Sequence, residues 1–137
     1  MDFICTDKHS EPNYEEIEAN FKNIEFNSKV NIFQGYACLD ADGNVSNLQR
    51  GGSDYTATII GAAIDAEEVQ IWTDIDGFHN NDPRFIDSTF PIRFLSFDEA
   101  AELAYFGAKI LHPNCLQPVR KKNIPILLKN TLEIDNQ

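Results

Sequence analysis

Arg50-Gly51-Gly52-Ser53-Asp54 sets a cation, two glycines, a hydroxyl and a carboxylate directly before an apolar stretch. If that stretch is a helix, the junction offers free N–H groups and a positive dipole end to an anion. A second polar cluster follows: Trp72-Thr73-Asp74-Ile75-Asp76-Gly77, then Asp82-Pro83-Arg84. Polar loops at the ends of neighbouring strands are where open α/β sheets bind ligands.

The elements that must position these loops can be read from periodicity. Tyr14, Ile17, Phe21 and Ile24 make one apolar face of a helix over Asn13–Phe26, with Glu15, Glu16 and Glu18 opposite. Val30–Cys38 reads as a strand broken by Gly35, and Ala41-Asp42-Gly43-Asn44 as a tight turn. Ser53 or Asp54 is expected to cap a helix over Tyr55–Ala66, followed by a strand over Glu68–Thr73 and a polar loop over Asp74–Asp87. Ser96 and Glu99 are spaced as a capping box for a helix over Asp98–Phe106 that Gly107 interrupts. A helix over Asn114–Lys122 and a strand over Ile126–Leu128 complete the pattern. Alternating strands and helices imply a mostly parallel sheet covered by helices.

The chain has 137 residues, about one domain. Its formal charge of −11 argues against nonspecific binding to nucleic acid or to an anionic membrane. An anionic ligand needs only local cations, and these are uneven: Leu103–Leu132 holds Lys109, Arg120, Lys121, Lys122 and Lys129 but no Asp or Glu. The bland reading of residues 120–122 is a solvated helix face. Cys5, Cys38 and Cys115 are odd in number and lack metal-ligand spacing, so reduced thiols are expected. No stretch approaches the ~20 apolar residues of a membrane span, and Met1-Asp2-Phe3 does not open a signal peptide, so a cytoplasmic location is expected.

Taken singly, the motifs have ordinary explanations. The Arg50–Asp54 segment is neither a P-loop nor GxGxxG, and a strand-to-helix turn would account for its glycines. Its functional reading is an anion cradle in which Arg50 makes a bidentate contact and Ser53 with backbone N–H groups completes the shell. Thr73-Asp74 serves either as a cap or as a contact to a nucleotide or its metal ion. Asp76-Gly77 and Asp82-Pro83 look like turn punctuation, and the spacing lacks an EF-hand glutamate. His79 reads as an exposed loop histidine suited to a surface or stacking role, and His112 as a helix-boundary residue bonded to backbone. Lys109 is either a surface lysine or a cation aimed at phosphate.

Together the pieces are specific. Leu48–Ala57, Val69–Gly77, Asp82-Pro83-Arg84 and Glu99–Pro113, the last ending Phe-Gly-Ala-Lys-Ile-Leu-His-Pro, closely resemble the aspartate kinases, a branch of the amino-acid kinase family. The likeness continues through Leu116-Gln117-Pro118 and Asn123-Ile124-Pro125 to Lys129-Asn130-Thr131. It also reaches Cys5-Thr6-Asp7, where the family has Arg-Thr-Asp, and Gln34-Gly35-Tyr36, where it has Gln-Gly-Phe.

The resemblance implies an α/β three-layer sandwich with a mostly parallel sheet, the carbamate kinase-like fold, present as a partial domain. Residues 1–137 would be the C-terminal, nucleotide-binding portion of a catalytic domain. The family's Lys-Phe-Gly-Gly motif, with its catalytic lysine, and its regulatory modules are not in this sequence. It implies phosphorylation of the L-aspartate side chain with ATP and Mg2+, on the route to lysine, threonine and methionine. A non-catalytic nucleotide-binding scaffold and another amino-acid kinase are the alternatives. Arg50 and Ser53 match substrate-binding positions. Thr73, Asp74, His79, Arg84 and Lys109 match nucleotide-binding positions, with His79 where the family often has Tyr. No catalytic residue and no protein metal ligand is expected in this portion. Gln49 stands where Gly is usual, Asn47 where Thr is usual, and Cys5 replaces Arg. Such a portion should expose an apolar edge near Val30–Cys38 or Val69–Ile71 and self-associate as a homodimer.

Overall fold

A computed structural model of the chain describes residues 3–75, 77–81, 85–106 and 110–132. Four helices, one short 3-10 turn and four strands alternate through the described chain. In order they are α1 (Tyr14–Lys22), β1 (Ala37–Leu39), β2 (Val45–Asn47), α2 (Gly52–Ala63), β3 (Val69–Thr73), α3 (Phe97–Phe106), the 3-10 turn Pro113–Leu116, α4 (Gln117–Arg120) and β4 (Ile126–Asn130).

Helix α1 is capped by Asn13, whose side-chain oxygen accepts from the Glu16 N–H at 3.4 Å while its amide donates to the Glu16 carboxylate at 2.8 Å. It buries Ile17 and Phe21 and stops four residues earlier than expected, where Asn23 takes the cap and its side chain bonds back to the Ala19 carbonyl. Asparagine competes with the helix ladder in this way. Helix α3 carries the anticipated capping box: the Ser96 N–H and hydroxyl both donate to the Glu99 carboxylate, and the Glu99 N–H donates back to Ser96 Oγ at 3.2 Å. Its C-terminal interruption at Gly107 lies outside the described residues. The expected helix over Asn114–Lys122 is split into the 3-10 turn and the single turn of α4, with Pro118 in the first turn.

The strands divide into two named pairs. β3 and β4 run parallel, with Val69 opposite Ile126 and Thr73 opposite Asn130. β1 and β2 form an antiparallel hairpin, and a parallel bridge joins Cys5 to Leu39. Asp40 closes the hairpin turn by accepting from the Asp42 and Asn44 N–H groups, with Gly43 at φ 80°. β2, Val-Ser-Asn, has no strand signature of its own and exists through pairing. The strand expected over Val30–Cys38 is realised only at its end. Residues 30–34 have no ladder partner among the described residues, and Val30 and Ile32 are exposed. Val69 and Ile71, the other expected open surface, are buried.

Two apolar clusters hold these layers. One gathers Ile17, Phe21, Cys38, Leu48, Tyr55 and Ile59 between α1, the hairpin and α2. The other packs Val69, Ile71, Leu116 and Val119 between β3, the 3-10 turn and α4. The basic run is exposed, as expected, but each of its cations has a partner. Lys122 donates to the Ala62 carbonyl at the end of α2 and pairs with Glu18 and Asp65, both at 2.8 Å. Arg120 pairs with Asp98, and the Lys121 ammonium lies 5.5 Å from the centre of the Tyr14 ring.

Helix α2 lies so close to β3 that a Cβ on Gly61 would stand 2.4 Å from Val69 Cγ2. Alanine is worth ~1 kcal/mol over glycine in a helix interior, but overpacking a buried site costs ~1–3 kcal/mol. Gly61→Ala is therefore expected to lower the unfolding free energy by up to about 2 kcal/mol in urea titration, with Val69→Ala partly restoring it through coupling at the shared site.

Candidate functional site

The approach to α2 is built by residues in unusual conformations. Gln49 sits at φ 59° and Gly51 at φ 73°, so the chain turns left-handed twice before the helix begins. The Asn47 side chain accepts the Gln49 N–H at 2.9 Å, and the Gln49 carbonyl accepts the Gly52 N–H at 3.1 Å. A left-handed position explains why glycine is usual there in the resembling family. Gln49 accepts the strain, and the Asn47 side chain holds the turn.

Two neighbours close in on the glycines. A Cβ on Gly51 would stand 2.8 Å from His112 Cβ, and one on Gly52 would stand 2.6 Å from Tyr36 Cδ2. The Cys115 thiol reaches the Gly51 carbonyl at 3.7 Å. His112 caps the 3-10 turn by accepting from the Asn114 N–H, as a helix-boundary histidine should. The Leu111-His112-Pro113 block and the Gly-Gly turn, far apart in sequence, therefore form one packed unit. Tyr36 is itself left-handed, at φ 74°. Its N–H donates to Thr56 Oγ1 at 3.0 Å, and that hydroxyl donates to the Gly52 carbonyl at 2.8 Å. Strained backbone of this kind concentrates at functional sites.

Helix α2 begins one turn earlier than expected, and its cap is Gly51, with no side-chain cap bond. Ser53 and Asp54 are thus first-turn residues instead of caps. Among the described residues no protein acceptor meets the Ser53 or Asp54 backbone N–H. These amides open on a recess of ≈ 250 Å3 lined by Tyr36, Gln49, Gly51, Gly52, Ser53 and Asp54. Burial pushes the Asp54 carboxyl above its usual range. Ser53 lines the recess, while Arg50, between the lining residues Gln49 and Gly51, is exposed and makes no ion pair among the described residues. An anion entering here would meet two amides, a hydroxyl and the positive end of a 12-residue helix.

The second cluster lies at the C-terminal end of the parallel pair β3–β4. Thr73 Oγ1 and Asp74 Oδ1 are 3.1 Å apart, and the Thr73 carbonyl accepts the Thr131 N–H at 2.8 Å. Asn130, not singled out in the sequence, stands opposite Thr73 in the register and is buried. The hairpin before the Gly-Gly turn is not hydrogen-bonded to β3, so the two loops do not end adjacent strands of one ladder. His79 departs from expectation. It is buried, bridged to Pro91, with Nδ1 2.9 Å from Thr89 Oγ1. A local strand-like pairing of residues 78–80 with 90–92 draws it inward, a non-local contact that its polar surroundings in sequence do not reveal. Arg84 and Lys109 lie outside the described residues, as do Asp76, Asp82 and Pro83. Among the described residues no group of three His, Cys, Asp or Glu is arranged to hold a metal, and no helix is long and apolar enough to cross a membrane.

Two expectations follow from this geometry. Left-handed backbone costs a non-glycine residue ~1–2 kcal/mol, against ~0.4–1 kcal/mol of extra unfolded-state freedom for glycine. Gln49→Gly should therefore raise stability by about 0.5–1 kcal/mol, whereas Gly51→Ala, strained and clashing with His112, should lower it by more than about 1 kcal/mol; urea midpoints distinguish them. Burial, then the Asp54 charge, push the Cys115 thiol from 9.0 up to about 12. A raised acid pKa favours the folded state fully below the unfolded value and less as pH climbs toward the folded one. Stability should fall between about pH 9 and 12, and the fall should shrink in Cys115→Ala.

Comparison with known proteins identifies the family. The profile of the amino acid kinase family matches residues 2–130. Aspartokinase 1 of Arabidopsis thaliana is 51% identical over 89 residues, covering 65% of this chain and 16% of the relative. The bifunctional aspartokinase/homoserine dehydrogenase of Buchnera aphidicola is 39% identical over 117 residues, covering 85% of this chain and 14% of the relative. The crystal structure of E. coli aspartokinase III in complex with aspartate and ADP superposes with a TM-score of 0.92 at 33% identity, covering 98% of this chain and 31% of that one. This chain therefore spans about a sixth of the length of these curated relatives. The fold is α/β, part of the carbamate kinase-like three-layer sandwich with a mostly parallel sheet. With the family profile running through all four strands and all four helices, the chain belongs to the amino acid kinase family.

Proposed function

We propose that the longer protein carrying this chain is an aspartate kinase, transferring the γ-phosphoryl group of ATP to the side-chain carboxylate of L-aspartate in lysine, threonine and methionine biosynthesis. The observation that carries the reading is the pair of unpartnered amides at Ser53 and Asp54, opening on a recess in a chain that superposes on an aspartokinase solved with aspartate and ADP. A carboxylate oxygen attacks the γ-phosphorus, the bond to the ADP oxygen breaks, and an acyl phosphate and ADP result. Catalysis of such a transfer is mainly alignment and charge neutralisation.

In this reading Arg50 and Ser53 hold L-aspartate, and the exposed Arg50 swings onto a substrate carboxylate. Thr73, Asp74, His79, Arg84 and Lys109 hold the nucleotide. His79, buried against Thr89 and Pro91, acts by positioning rather than by direct contact. Residues 1–137 form the C-terminal portion of the catalytic domain, and a catalytic lysine comes from the remainder. Mg2+ neutralises phosphate charge and travels with ATP. The protein acts in the cytoplasm as a homo-oligomer. The alternative reading is a nucleotide-binding scaffold without turnover.

Calorimetry with ADP and a coupled ADP-release assay separate the readings. The chain alone should bind nucleotide without turnover. Turnover should appear with L-aspartate when the remainder of the catalytic domain is restored; strong turnover on glutamate, acetylglutamate or UMP instead would overturn the substrate assignment. In that complete enzyme, Arg50→Ala should lower kcat/KM by about 10- to 150-fold, the ~1.5–3 kcal/mol of a charged hydrogen bond. Lys121→Ala, a surface change, should stay within about threefold. Equal losses would make Arg50 a turn residue only.

A further inference from the structure

We infer that Thr56 is a positioning residue for the substrate recess: its buried hydroxyl fixes the left-handed Tyr36 over Gly52, and so sets the distance between the aromatic wall of the recess and the amides that receive the substrate carboxylate. This role rests on the aspartate kinase reading, which assigns nothing to Thr56 or Tyr36.

A threonine inside a helix commonly returns its proton to the carbonyl four positions back, and Thr56 does so to Gly52 at 2.8 Å. Its second bond sets it apart. The same oxygen accepts the Tyr36 N–H at 3.0 Å, from a segment 20 positions upstream. Thr56 is buried, so both bonds are shielded from solvent. The Tyr36 carbonyl is held as well, by the Leu48 N–H at 2.9 Å. Tyr36 is thereby kept at φ 74°, a conformation uncommon for a bulky residue. Strain of this kind persists only where the surroundings over-determine it.

The strained conformation lays Gly35 and Tyr36 across the first turn of α2. A Cβ on Gly52 would stand 2.6 Å from Tyr36 Cδ2, and a Cβ on Gly35 would stand 3.2 Å from Ser53 Oγ. Tyr36 therefore lines the recess on which the Ser53 and Asp54 amides open. These contacts join segments within the chain, so they do not depend on the rest of the domain. With the Thr56 hydroxyl gone, the Tyr36 N–H loses its acceptor, and the residue can relax toward negative φ and carry its ring off Gly52. A carboxylate then no longer meets the amides, the Ser53 hydroxyl and the wall at once. Binding weakens when the groups that receive a ligand must first be ordered. Thr73 and Asp74, at the end of β3, share none of these bonds, so the loss should fall on L-aspartate and not on ATP.

Steady-state kinetics of the complete enzyme, with the remainder of the catalytic domain restored, test this role. Thr56→Val should raise KM for L-aspartate about 3- to 10-fold, the worth of one hydrogen bond, while kcat and KM for ATP stay within about twofold. Thr56→Ser keeps the hydroxyl and should return KM for L-aspartate to within about twofold of wild type. Thr58→Val is the control. Thr58 is buried on the same helix, and its hydroxyl bonds locally to the Tyr55 carbonyl at 3.0 Å. Its loss should leave both KM values within about twofold. Should Thr56→Val fail to fold, Tyr36→Asn decides. Tyr36 is half-exposed and asparagine tolerates left-handed backbone, so the fold is kept, the wall is lost, and the same rise in KM for L-aspartate is expected. Equal rises in KM for both substrates, a Thr56→Ser enzyme no better than Thr56→Val, or an unchanged KM in Thr56→Val or, where that variant does not fold, in Tyr36→Asn would each overturn the role of Thr56. A wild-type enzyme without turnover on L-aspartate would instead overturn the aspartate kinase reading, and this role with it.

Discussion

The structure turns on one steric constraint: there is no room for a side chain at Gly51 or Gly52. His112 stands where a Cβ on the first would go, and the Tyr36 ring where a Cβ on the second would go. Because both glycines are bare, the hairpin end, the 3-10 turn and the start of α2 converge within van der Waals distance. That convergence brings the chain into the helix through a left-handed residue, leaves no side chain to cap the first turn, and so leaves amides facing an open recess. A helix capped by serine or aspartate at the same place would satisfy its own N–H groups and have less to offer an anion.

The far end of α2 is held as firmly as its start. Lys122 reaches the Ala62 carbonyl and two carboxylates, one on α1 and one just past α2, and those hydrogen bonds, Asp65 first, raise its pKa. Gly61 lets β3 pack under the helix. The Tyr14 and Tyr55 hydroxyls meet at 2.9 Å between α1 and α2. With both ends and one flank fixed, the orientation of the first turn follows from packing and does not depend on the ligand. Preorganised donors of this kind need little rearrangement when charge arrives.

Local chemistry was legible in the sequence wherever a short-range rule governs it. The Ser96–Glu99 capping box, the Asp40–Asn44 turn and the parallel β3–β4 pairing follow from residue types and spacing. The candidate loop at Arg50–Asp54 was legible too, through its glycines. What could not be read depends on contacts distant in sequence. β2 has no strand signal and exists because β1 lies beside it. His79 looks like a loop residue until Pro91 and Thr89 fold over it. The left-handed state of Tyr36 is imposed by Thr56 and Leu48, twenty and twelve positions away. The cap of α2 was misplaced because Ser and Asp are good capping residues, and steric demand at Gly51 overrode that preference.

The proposed activity requires that the amides at the start of α2 receive the carboxylate of an amino-acid substrate while the end of β3 faces the nucleotide. Amide chemical shifts in a 15N-labelled sample, titrated separately with L-aspartate and with ADP, address it residue by residue. L-aspartate is expected to move the Gly52, Ser53 and Asp54 resonances and ADP those of Thr73 and Asp74. Saturating L-aspartate that leaves the Ser53 and Asp54 amides unmoved, while other resonances respond, would contradict it.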